Sequence, residues 1–180
     1  TDLSGSGDVK LTISKGTSSP AEGNVEVSST RVTSEVKMLD FKLKATGSDM
    51  SFDTLTVNLA TTGVPATKAG TEMIFDELVL MNGSTELATV DVADSATAAT
   101  FNLDDMFTID EDTTETFTVE ARIKKICTTV TCTTTPANYF TQGDSFKVSL
   151  AQAGIDAEDS NGDTGMTESG SATGAAQAFY

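Results

Sequence analysis

Short runs in which every second residue is apolar recur along this chain, and that period of two limits its fold more than any other feature. In a strand, successive side chains point to opposite faces, so alternation makes one face apolar and leaves the other wet. Val9, Leu11 and Ile13 form the first run, and Val25 and Val27 follow the turn signal Thr17-Ser18-Ser19-Pro20. Leu39, Phe41 and Leu43 alternate with Lys42 and Lys44, and Leu55, Val57 and Leu59 alternate with Thr54, Thr56 and Asn58. The denser segment Met73 to Met81 ends in Asn82-Gly83, a hairpin signal, and a strand from Glu86 to Val92 should follow it. Phe101 with Leu103, and Phe107 with Ile109, make two runs on either side of Asp104-Asp105. Phe117, Val119, Ala121 and Ile123 alternate most cleanly, and Phe146, Val148 and Leu150 follow the turn Gln142-Gly143-Asp144.

These runs predict an all-β chain, an antiparallel β-sandwich of about nine strands with Greek-key connections. Only Met73 to Leu80 also fits two helical turns, and it lacks caps. The 31 threonines agree with strands, because β-branching suits a pleated sheet. The 180 residues suffice for one core. The expected organisation is a flexible lead-in over 1–8, a sandwich over 9–155, and an acidic Gly/Ser-rich tail over 156–180 with room for a terminal strand.

With 27 acidic and 11 basic residues the net charge is −16. Such a chain repels nucleic acid and anionic headgroups, whose binding depends on Lys and Arg releasing counterions. No apolar run approaches the roughly 20 residues of a membrane span. The chain opens on polar Thr1-Asp2-Leu3-Ser4 rather than a signal peptide, so a secreted protein would be present here as a mature form or an excised domain.

Cys127 and Cys132 are either two unrelated thiols or a short loop-closing disulfide, and an exported setting favours the disulfide. A loop this small would stabilise by about 2 kcal/mol on the chain-entropy model. Zinc would need further ligands, and the chain has no His.

Asp156-Ala157-Glu158-Asp159-Ser160-Asn161-Gly162-Asp163 is the candidate ligand loop, since calcium takes oxygen ligands on a loop that turns at glycine. An EF-hand alignment puts Ala157 where a carboxylate belongs, so that motif fails. Two readings stay open: a looser calcium loop using Asp156, Asp159, Asn161, Asp163 and Glu168, or a solvated acidic turn, which the missing carboxylate favours. Calcium is the one cofactor the sequence leaves open.

Other motifs give no reaction. Asp163-Thr164-Gly165 matches the aspartic-protease triplet but precedes no apolar strand. Asp104-Asp105 and Asp110-Glu111-Asp112 lack the aromatic platform of a sugar cleft and read as turn residues. Without His there is no ordinary serine triad, and no phosphate-binding glycine loop appears. A catalytic role is therefore not expected. Asn82-Gly83-Ser84 fits a glycosylation sequon, although the hairpin alone explains it, and Thr128 to Thr135 offers hydroxyls for O-linked sugars.

The chain resembles a recurrent domain of large exported surface proteins in small-genome, mostly uncultured bacteria. The resemblance lies in Val9-Lys10-Leu11-Thr12-Ile13-Ser14 with Ser18-Ser19-Pro20 after it, Val36-Lys37-Met38-Leu39-Asp40-Phe41-Lys42-Leu43-Lys44-Ala45 and Phe52-Asp53-Thr54-Leu55-Thr56-Val57. It continues in Leu78-Val79-Leu80-Met81-Asn82-Gly83-Ser84-Thr85, Glu115-Thr116-Phe117-Thr118-Val119-Glu120-Ala121 and Ala157-Glu158-Asp159-Ser160-Asn161-Gly162-Asp163, followed by Ser169-Gly170-Ser171-Ala172-Thr173-Gly174. It implies an immunoglobulin-like sandwich in a surface layer, pilus-like filament or adhesin, and no chemistry. The two cysteines lie outside it.

The expectation is thus an extracellular, cell-surface structural domain that associates with identical subunits or neighbouring surface domains. Val9, Leu11 and Ile13 alternate as a donor strand would, so they are candidates for assembly by strand addition, with pairing inside their own domain as the other reading. A calcium-dependent adhesin or carbohydrate-binding module is the alternative.

Overall fold

The computed structural model describes residues 9–62, 75–92, 96–125 and 143–180. The chain is an all-β sandwich, and among the described residues the one helical element is a 3-10 turn, Gln152–Gly154.

One layer is built on the cleanest alternation. Strand β8 (Thr114–Ile123) buries Phe117, Val119, Ala121 and Ile123 and turns the residues between them outward. It lies antiparallel between β3 (Thr33–Thr46) and β5 (Phe75–Asn82). Strand β1 (Lys10–Lys15) adds to the far edge of β3, and β6 (Thr85–Asp91) adds to β5 through the Asn82-Gly83 hairpin. Gly83 sits at φ 59°, a left-handed position that glycine takes without steric cost.

The other layer centres on β4 (Met50–Thr62), which pairs with β7 (Ala98–Ile109) along one side. Its other side takes β9 (Ser145–Ala151) and then, past the 3-10 turn, β10 (Ile155–Asp159). Strand β12 (Gln177–Phe179) pairs with β9 and, in parallel, with the short β2 (Gly23–Val25).

Strand β11 (Thr167–Thr173) belongs to both layers. Its first half runs parallel to β1, and Ser171–Thr173 then pair with β9. The crossing falls at Gly170, at φ 86°, where a Cβ would meet the Ile13 carbonyl oxygen. Strands that change sheets need such a bend.

Aromatic rings join the layers. Phe41 and Phe117, register partners on β3 and β8, stack at 5.2 Å. Phe107 on β7 meets Phe117 edge-on at 5.1 Å, and Phe75 on β5 meets Phe146 on β9 at 4.0 Å. Edge-to-face pairs add to the area they bury.

The fold class is the one the alternation predicts, with three differences. There are twelve strands among the described residues rather than nine, and two of the pairings are parallel. The two runs around Asp104-Asp105 form one strand, β7. Between its pairs Asn102↔Thr54 and Phe107↔Phe52 it advances five residues (107 − 102) against two on β4 (54 − 52), and Asp104 absorbs the excess at φ 47°. The stretch 156–180, set apart in the sequence as a tail, is built into the sandwich through β10, β11 and β12. It buries few large side chains and is held mainly by ladder hydrogen bonds, which leave no apolar period to read.

Phe75 is fully buried between the layers. Phe75→Ala should lower unfolding stability by about 3–5 kcal/mol, read from urea denaturation followed by circular dichroism.

Candidate functional site

The acidic loop lies at the end of the sandwich where β10 meets the start of β4. Asp159 organises it. The Asp159 Oδ1 accepts the backbone N–H groups of Asn161 at 2.8 Å and Asp163 at 2.9 Å, and Oδ2 accepts the Asn161 amide at 3.3 Å. These donors, the Asp163 N–H first, hold the Asp159 carboxyl below its ordinary range. Ser160 is pinned across to Ser48, whose hydroxyl accepts the Ser160 N–H at 3.2 Å.

The turn is closed by its own hydrogen bonds. Three N–H donors already occupy the Asp159 carboxylate, two on Oδ1 and one on Oδ2, and Asp163 Oδ1 accepts its own Gly165 N–H at 2.8 Å. Asp156 and Glu168 stand apart from the turn, on β10 and β11. Burial, and then the charge of Asp156, push the Glu168 carboxyl up from its ordinary value. Among the described residues no three Asp, Glu, His or Cys side chains converge to hold a metal. The same Gly165 bond makes Asp163-Thr164-Gly165 a self-closed turn.

Val9, Leu11 and Ile13 are buried, and β1 is hydrogen-bonded on both sides, to β3 and to β11 of its own chain. Neither edge of β1 is open in this arrangement. Cys127 and Cys132 lie outside the described residues. Asp110-Glu111-Asp112 form a turn, in which the Thr113 N–H reaches the Asp110 carbonyl and the Glu111 N–H reaches Asp49 Oδ1 at 2.7 Å.

Nothing in the sequence marks Asp40 as the acceptor for a distant turn. It is 3% exposed on the outer side of β3, under the segment 16–20. Its Oδ2 accepts the Ser18 N–H at 2.9 Å and its Oδ1 faces the Thr118 hydroxyl at 3.4 Å, while its own N–H donates to Ser19 Oγ. The turn signal at Ser18-Ser19 was legible, but the carboxylate it covers is 21 or more residues away. This latch closes the segment; it is satisfied and has no free group to offer a ligand.

Open depressions are shallow. The largest of those described, 780 Å³, is lined by residues within 26–35, from the β2–β3 connection and the start of β3. Another, 280 Å³, lies beside Arg31, Val32, Asp76, Lys124 and Lys125. Neither gathers an acid, a base and a nucleophile in one cleft.

No known family matches this sequence, and no curated protein does. Solved structures of similar outline include a complex of CaDoc0917 with CaCohA2, at 10% identity over 96% of this chain and 99% of that one, with a TM-score of 0.34. CaCohA2 from Clostridium acetobutylicum gives 9% identity over 96% and 91%, with a TM-score of 0.28. A DUF4466 family protein from Parabacteroides merdae gives 12% over 93% and 42%, with a TM-score of 0.27. At these scores the likeness carries no argument about function.

Two outcomes follow from the turn. A carboxyl with a lowered folded value contributes stability above its unfolded value and loses it as pH falls through the folded one. Acid unfolding should therefore be shallower in Asp159→Asn, which keeps an oxygen acceptor but no charge, than in the wild type. A thermal melt should be unmoved by calcium at about 1 mM or by chelator, a range that covers extracellular calcium modules; a rise of several degrees with calcium would show a site that the turn geometry does not predict.

Proposed function

We propose that this chain is a non-catalytic structural domain of the cell exterior, a building block of a surface layer or pilus-like filament. The observation that carries the reading is where the polar groups are spent. Carboxylates at the loop ends close turns, as Asp159 and Asp163 do, and the outward hydroxyls form cross-strand rows. Thr56 meets Thr100 at 2.8 Å, Ser51 meets Thr108 at 3.3 Å, and Thr12 meets Ser169 at 3.4 Å. Broad, wet, regular sheet faces over a continuous apolar core suit contact with other surfaces across an area. They do not suit enclosure of a small molecule, which calls for a concave, largely apolar pocket.

The chemistry of the core supports the same role. Seven phenylalanines are fully buried, and the polar connections are tied down by hydrogen bonds at both ends of the sandwich. With β1 enclosed between β3 and β11, assembly in this reading uses outer faces or other edges rather than donation of Val9, Leu11 and Ile13. Among the described residues no helix is long and apolar enough to cross a membrane.

Purified chain at high concentration should show filaments or sheets in negative stain and a rising sedimentation coefficient with concentration. A single monomeric boundary throughout would remove the building-block reading.

A further inference from the structure

One corner of the outer face of the β1-containing layer is cationic, and the outer face of the other layer is acidic. On the β1-containing layer, the outward positions of β1, β3 and the first half of β8 bring together Lys10, Lys42 and Lys44. Lys42 stands opposite Ser14 and Thr116, and Lys44 opposite Thr12 and Thr114. The one carboxylate on these outward positions, Asp40, is buried under the segment 16–20. Beyond this corner the same face carries Glu120 on β8, opposite Lys37, and Glu77, Glu86 and Asp91 on β5 and β6. Among the described residues, none of the three lysines makes an ion pair; the ion pairs present are those of Arg122 with Glu77 and Glu86.

The opposite face reverses this. Strands β4, β7 and β10 contain no Lys or Arg. They expose Asp53, Asp104, Asp156 and Glu158, and Lys147 lies on the neighbouring β9, opposite Ala60. Residues two apart on one face of a strand stand roughly 6.5–7 Å from each other. Lys42 and Lys44 therefore stand within repelling distance, and the one carboxylate at the same spacing, Asp40, is already bonded to Ser18 and Thr118, in a chain whose net charge is −16.

We propose that the lysine face of one copy docks on the acidic face of the next. The inference rests on the building-block reading and gives its geometry. Because the two surfaces differ and lie on opposite sides of the molecule, the contact is heterologous and leaves both a free lysine face and a free acidic face at the ends of every stack, so growth is open. Face charges meet at short range while whole molecules of like net charge repel at long range. Association is therefore strongest at intermediate salt, about 0.15 M, where the screening length is about 8 Å, and falls by about 1 M, where it is about 3 Å.

The test uses the full chain and two double variants, Lys42→Glu/Lys44→Glu and Asp53→Lys/Glu158→Lys, each first shown to melt at the wild-type temperature. Analytical ultracentrifugation at about 0.15 M salt should show self-association of the wild type, weakened at least tenfold in either variant alone. An equimolar mixture of the two variants should restore it, because each then supplies the face the other has lost. If the wild type assembles and both variants assemble equally well, face pairing is wrong while the building-block reading stands. A wild type that stays monomeric at every salt concentration overturns both. Retention of the monomeric wild type on dextran sulfate, lost in Lys42→Glu/Lys44→Glu, would instead assign the lysine face to an anionic polysaccharide and overturn pairing between copies.

Discussion

The contact between rings from opposite layers holds the rest of the structure in place. Phe107 against Phe117, and Phe75 against Phe146 and Phe179, fix the separation of the two sheets. A side chain the size of phenylalanine reaches across that separation only if its strand keeps its register, since a slip by one residue would turn every apolar group outward. The pairing of Phe41 with Phe117 is thus both a packing contact and a register lock. Once these rings are seated, the loops at the ends of the sandwich have little freedom left, and the polar groups on them settle into local bonds.

Those local bonds explain why the loops that looked most like sites are closed. A carboxylate near free backbone N–H groups lowers its energy by accepting them, and the desolvated end of a sheet supplies such donors. Asp159 takes two of them and Asp163 takes one. Asp40 does the same for the segment after β1. The acidity of the chain is therefore divided. Among the described residues some carboxylates tie loops, and others lie on outward strand positions where they shape the field of a face.

How much of this was legible in the sequence depends on whether side-chain burial drives the element. Strands β3, β4, β8 and β9 bury Phe, Leu and Val at every second position and could be read directly. Strand β11, Thr-Glu-Ser-Gly-Ser-Ala-Thr, buries only Ala172 and is held by ladders to β1 and β9, so its period is silent. Asp104-Asp105 looked like a turn because acidic pairs prefer turns, but the left-handed φ at Asp104 lets the strand bulge and continue beside β4. The loop after β10 was legible as a turn; that its carboxylate is consumed by its own backbone was not.

By itself the sequence determined the class of fold, through a period of two that only a half-buried sheet can satisfy. It also determined the acidity and the hairpin at Asn82-Gly83. Tertiary structure alone decided that β1 lies inside its sheet, that β11 joins both layers at Gly170, and that Lys10, Lys42 and Lys44 share one face. The reason is separation along the chain. Alternation is a relation between near neighbours, whereas Ile13 meets Gly170, and Lys10 joins Lys42 and Lys44, only after distant strands have paired.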